Sequence, residues 1–73
     1  MLRVEYFGHV RELVGKDFEN MDVSNNGIRV DEVLERLRLP VAVICAINLD
    51  YCSLETVAKA GDSLCIMSPV SGG

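Results

Sequence analysis

No stretch of this 73-residue chain is long and apolar enough to span a membrane, and its first residues lack the charged region and apolar core of a secretion signal. The expected setting is the cytosol. Cysteine is scarce and unpaired in pattern: Cys45, Cys52 and Cys65 are an odd number with no C-x-x-C spacing. Neither a disulfide framework nor a zinc site is indicated, and reduced thiols are expected. A nucleophilic cysteine normally needs a positioned base, and the one histidine, His9, is distant in sequence from all three. Basic residues are also few and scattered. Seven Lys and Arg against 11 Asp and Glu give a net charge of −4, which argues against a nucleic-acid footprint and for a neutral or basic protein partner. With two prolines, no repeat and no low-complexity run, nothing marks a linker or a disordered segment.

What is present is apolar side chain in ordered patterns, at 49% of the composition. The length allows one domain, 1–73, near the lower limit at which a core folds without staples. Leu2, Val4 and Tyr6 alternate with Arg3 and Glu5, which predicts a strand with one core face. Phe7 breaks that pattern by placing a ring on the polar side, either under the next loop or on a binding surface. Residues 10–14 read as one helical turn stopped by Gly15, and 18–23 as a second strand with Met21 and Val23 inward. The two strands form a hairpin with a long connection.

Val30, Val33, Leu34 and Leu37 fall at i, i+3, i+4 and i+7, the stripe of an amphipathic helix. Asp31 and Glu32 in its first turn and Arg36 and Arg38 in its last complement the helix dipole, and Pro40 prevents continuation. Arg29 stands where a capping Ser, Thr or Asp is preferred. Residues 41–48 predict a third strand, 48–50 a turn, 51–57 a short irregular fourth strand, and 63–68 a last strand with Leu64 and Ile66 inward and Cys65 and Met67 outward. Cys45 is expected on the core side. The order predicts an α+β fold, a small mixed sheet with one main helix on one face. Phe7 and Met67, joined by Tyr51, then share the face left open and form a candidate docking patch.

Behind the last strand come Pro69, Val70, Ser71, Gly72 and Gly73. Two glycines allow close backbone approach, so a terminal carboxylate on such a tail enters a channel too narrow for side chains. Residues 69–73 therefore read as a flexible functional tail.

The segment Tyr6-Phe7-Gly8-His9-Val10-Arg11-Glu12-Leu13-Val14-Gly15 resembles the signature near the start of the small subunit of molybdopterin synthase. Ala46-Ile47-Asn48 resembles the third strand of that family, and Ala60-Gly61-Asp62 with Pro69-Val70-Ser71-Gly72-Gly73 resembles its end. One departure is Ser68, where the family commonly has a further proline. The resemblance implies a ubiquitin-like β-grasp fold and a sulfur carrier without an independent active site. A ubiquitin-activating-type enzyme would use ATP to adenylate the Gly73 carboxylate, and a sulfur donor enzyme would displace AMP to leave a C-terminal thiocarboxylate (1-thioglycine). The carrier would deliver that sulfur to cyclic pyranopterin monophosphate for the molybdopterin dithiolene. Catalytic side chains would come from the large subunit, in an assembly of two small and two large chains. The resemblance implies no bound cofactor or metal. Gly72 and Gly73 would be the reactive residues, with Phe7, Tyr51, Met67, Pro69, Val70 and Ser71 in partner contact. A carrier for thiamin thiazole synthesis, a ubiquitin-like modifier joined to lysines through Gly73, and a plain interaction module are the alternatives.

Overall fold

A computed structural model describes residues 1–39 and 42–69, and the tail residues Val70, Ser71, Gly72 and Gly73 lie outside the described residues. The elements are β1 (Leu2–Phe7), α1 (His9–Val14), β2 (Phe18–Met21), β3 (Ile28–Arg29), α2 (Val30–Leu37), β4 (Ile44–Ile47), β5 (Asp50–Tyr51), β6 (Val57–Ala58) and β7 (Ser63–Met67). Five strands form a mixed sheet in the order β2-β1-β7-β4-β5, and β3 pairs with β6 separately. The neighbours β1 and β7 are parallel, while β1–β2, β7–β4 and β4–β5 are antiparallel. The α+β arrangement with one main helix on one sheet face is as the sequence predicts.

The helix forms where the apolar stripe places it. Val30, Val33 and Leu34 are buried, with Leu37 packed against the same cluster. They meet Leu2, Val4 and Tyr6 from β1, Leu64 and Ile66 from β7, and Cys45 from β4, while Val10 closes one end from α1. Burying each larger aliphatic side chain contributes about 1.5–3 kcal/mol, and this cluster is the principal source of stability. Among the described residues no helix is long and apolar enough to cross a membrane.

The missing side-chain cap of α2 is supplied from elsewhere in the chain. Arg29 turns its guanidinium to Asp31, at 2.7 and 3.1 Å, and makes no capping bond. Instead the Val30 and Asp31 N–H groups donate to the Thr56 and Leu54 carbonyls, each at 2.9 Å. Orphan donors at the helix start are thus satisfied by backbone beside β6. The fourth strand predicted over 51–57 does not exist as one element. Its ends are β5 and β6, which belong to different sheets, and the intervening segment crosses the N-terminus of α2. The predicted strand over 18–23 ends at Met21, that over 41–48 forms as Ile44–Ile47 among the described residues, and the last ends at Met67, while Pro40, expected to stop α2, and Val41 lie outside the described residues.

Tyr6 shows how a buried aromatic keeps its polar tip satisfied. Its side chain is 1% exposed, and its hydroxyl donates to Glu19 on the edge strand β2. Lys16 donates to the other oxygen of the same carboxylate at 3.2 Å. Burial, followed by the bond to Glu19, pushes the Tyr6 phenol well above its usual range. The Tyr6 hydroxyl, with help from Lys16, holds the Glu19 carboxyl below its own.

Candidate functional site

Strand alternation and register fix what the open face of the sheet carries. Phe7 is the register partner of Met67, and Met67 of Ile44, so these three form one row across β1, β7 and β4. The next row runs across all five strands as Tyr51, Ala46, Cys65, Glu5 and Phe18. A third row, Ser63, Arg3 and Asn20, is polar. The face is therefore graded along the strands, and its apolar end is the end at which β7 finishes and the chain continues to Pro69.

Phe7 is 45% exposed, which excludes the reading that it is tucked under the following loop. Tyr51 is 79% exposed at the sheet edge, Met67 and Ile44 are half-buried, and Cys65 and Ala46 are buried between their neighbours. Pro69 is exposed. The structure thus makes Phe7 and Met67 neighbours, whereas Tyr51 shares their face but lies one row back on β5, beyond Ile44 and Ala46 of β4, which the sequence places only in a strand. Their orientation depends on how β4 pairs with β7, which no local pattern specifies.

A charged margin bounds the apolar area on the β2 side. Arg3 Nε donates to Glu5 Oε2 at 2.6 Å, and the Arg3 guanidinium lies 3.9 Å from the centre of the Phe18 ring. That stacking engages Phe18, so the unclaimed apolar surface is the Phe7, Met67, Ile44 and Tyr51 side. Cys65 Sγ lies 3.8 Å from Glu5 Oε1. Burial pushes up all three thiols, Cys45 to about 11, and the Glu5 charge adds to the effect at Cys65. None is poised as a thiolate. His9 lies exposed on α1, 3.3 Å from the Glu12 carboxylate.

The Ala60-Gly61-Asp62 segment lies before β7, at the end of that strand away from the tail. Gly61 takes φ +93° and donates its N–H to the Met1 carbonyl at 2.9 Å. The Asp62 carboxylate accepts from the Lys59 N–H at 2.9 Å and from Asn48 Nδ2 at 3.0 Å, and Asn48 Oδ1 accepts from the Ser63 N–H at 3.0 Å. Those bonds, the one from Lys59 foremost, hold the Asp62 carboxyl below its usual range. The segment is architectural: it ties the turn before β7 to the turn between β4 and β5.

A family model described as the ThiS family matches residues 4–73. No curated protein sequence matches the chain. Among solved structures, SAMP1 from Haloferax volcanii is 23% identical, with a TM-score of 0.78 over 99% of this chain and 98% of that one. A putative molybdopterin converting factor subunit 1 from Pyrococcus furiosus is 25% identical, with a TM-score of 0.77 over 94% and 97%. Subunits 1 and 2 of the molybdopterin-converting factor from Helicobacter pylori, solved as a complex, include a chain 21% identical, with a TM-score of 0.65 over 99% and 97%.

Proposed function

The chain belongs to the ThiS family of ubiquitin-like sulfur carriers, and from that premise we propose that it is the sulfur-donating small subunit of a molybdopterin synthase. The observation that carries the proposal is the apolar row Phe7, Met67 and Ile44, placed at the end of β7 from which the tail departs. A partner seated on that row holds the domain while the five tail residues, spanning at most about 17 Å when extended, reach a buried active site. The paired subunits from Helicobacter pylori supply the precedent for such a partner.

The chemistry resides in the backbone terminus. A carboxylate is a poor electrophile, so a ubiquitin-activating-type enzyme joins the Gly73 carboxylate to AMP from ATP, with pyrophosphate leaving. A sulfur donor then displaces AMP and leaves a thiocarboxylate. The loaded tail enters the large subunit, which contributes the acid and base groups, and donates sulfur to the pterin precursor. Two loaded carriers are consumed per dithiolene. The role of this chain is to present the tail and be recognised, and we place it in the cytosol, where ATP is available.

Incubating the full chain with ATP, a sulfur source and its activating enzyme should raise the intact mass by the exchange of one oxygen for sulfur. A variant with one residue added after Gly73 should neither load nor support molybdopterin formation. Loading of the extended variant without trimming would refute the carrier role. A protein modifier would share the adenylation step and differ at the acceptor, as would a carrier for thiazole synthesis. Isopeptide-linked conjugates through Gly73, or sulfur transfer to thiazole in place of the pterin, would identify those readings.

A further inference from the structure

We infer that Cys45 and Cys52 form a reducible cross-strand disulfide under thiol-oxidising conditions, a modification site that the carrier role does not use. Ala46 pairs with Tyr51, the last residue of β5, and continuing that register one step past the strand end sets Cys45 against Cys52. The Cys52 N–H donates to the Cys45 carbonyl at 3.1 Å, one of the two bonds of a hydrogen-bonded antiparallel pair, which holds the two residues beside each other just past the strand end. Both side chains point to the helix-covered side: Cys45 belongs to the core cluster and Cys52 packs against it. Both thiols are free. A groove at the sheet edge, lined by Val43, Ile44, Tyr51 and Leu54, also has both cysteines in its wall, and Cys52, half-buried where Cys45 is buried, is the one an oxidant meets first.

Directly opposed residues of a hydrogen-bonded antiparallel pair have Cα atoms about 5.5 Å apart, inside the span of about 4.4–6.8 Å that disulfides use. Their Cβ atoms are typically about 4.5–5.5 Å apart, against about 3.5–4.5 Å in a disulfide. Closure therefore draws the two strands together. The element that yields is β5, two residues long and at the sheet edge. The strain retained makes the bond easier to reduce than a relaxed structural disulfide. Cys65 faces the other side of the sheet, in the row with Ala46 and Glu5, and cannot take either place.

With glutathione disulfide as oxidant, the small thiolate fraction of Cys52, the less buried of the two, attacks one glutathione sulfur slowly and releases one glutathione thiolate, which takes up the proton that Cys52 has lost. The Cys45 sulfur, losing its own proton, then displaces the second glutathione. One protein S–S bond forms, the oxidant's S–S bond breaks, and two electrons and two protons end on two molecules of glutathione. The test is intact mass and peptide mapping of the folded full chain after exposure to glutathione disulfide, with free thiols alkylated. The expected result is a loss of about 2 Da before alkylation, a Cys45–Cys52 linked peptide, and reversal by dithiothreitol. Cys65→Ala should retain the link, and Cys52→Ala, its fold checked by circular dichroism, should lose it. If Cys52→Ala does not fold, the wild-type peptide map decides alone. An unchanged mass, glutathione adducts that never resolve, or a link involving Cys65 would overturn the inference.

Discussion

Phe7 and Met67 are register partners on two neighbouring parallel strands, one the first of the chain and the other the last. That pairing places a ring and a thioether side by side where the tail begins. A charge at the centre of a desolvated interface commonly costs several kcal/mol, whereas one on an idle surface costs little. Phe7→Lys, Met67→Lys and Ile44→Lys should therefore each abolish binding to the large subunit or to the activating enzyme while circular dichroism stays that of the folded chain. Leu49→Lys, at a turn residue 89% exposed near the polar end of the sheet, should leave affinity unchanged in the same titration calorimetry.

The Tyr6–Glu19 bond should give stability two pH limbs. Glu19 has its folded pKa lowered, so its contribution is full above the unfolded value of about 4.3 and is lost as pH falls through the folded one. Tyr6 has its folded pKa raised, so its contribution is full below the unfolded value of about 10 and declines as pH rises beyond it. Tyr6→Phe should cost about 1 kcal/mol at neutral pH. It should also flatten the acid limb, and it abolishes the alkaline limb of this bond, as measured by urea denaturation from pH 3 to 11.

The turn between β4 and β5 can be improved. Asn48 and Leu49 both have positive φ, 51° and 74°, in a two-residue hairpin loop whose mirror-image turn favours Asn-Gly. Leu49 buries almost nothing in return, so Leu49→Gly should raise stability by about 0.5–1 kcal/mol, visible as a higher denaturation midpoint with an unchanged slope.

Gly27 should tolerate no side chain. Its φ is +83°, and an added Cβ would lie 2.5 Å from the Ala58 carbonyl oxygen and 2.7 Å from Val57 Cγ1. Those atoms belong to β6, next to the carbonyls that cap α2. Gly27→Ala should therefore destabilise by about 2 kcal/mol or more, lowering the midpoint of thermal unfolding by on the order of 10 °C.

Long periodic elements were legible in the sequence. The stripe Val30, Val33, Leu34 and Leu37 marks α2, and the alternation of Leu2, Val4 and Tyr6 marks β1, because each repeats its period enough times to be distinguished from chance. The two-residue strands β3, β5 and β6 carry no period at all, which is why one strand was expected over 51–57 where two form in separate sheets. Phe7 and Met67 were legible as an outward pair from strand parity, whereas the face of Tyr51, on the two-residue β5, follows from its pairing with Ala46. Ile44 and Ala46 were not, since the face they occupy follows from pairing with β7. The cap of α2 by Thr56 and Leu54 is likewise tertiary.

The central place of β7 also bears on how the chain matures. Joining β1 to β7 closes a loop of nearly the whole chain, a contact of high sequence separation and hence a late and slow step in folding. Until β7 is made, β1 has only β2 as a sheet neighbour. A chain stopped before β7 lacks the middle of its sheet, Met67 and the tail together. The row Phe7, Met67 and Ile44, on which the proposed docking surface rests, is therefore complete only once β7 is in place.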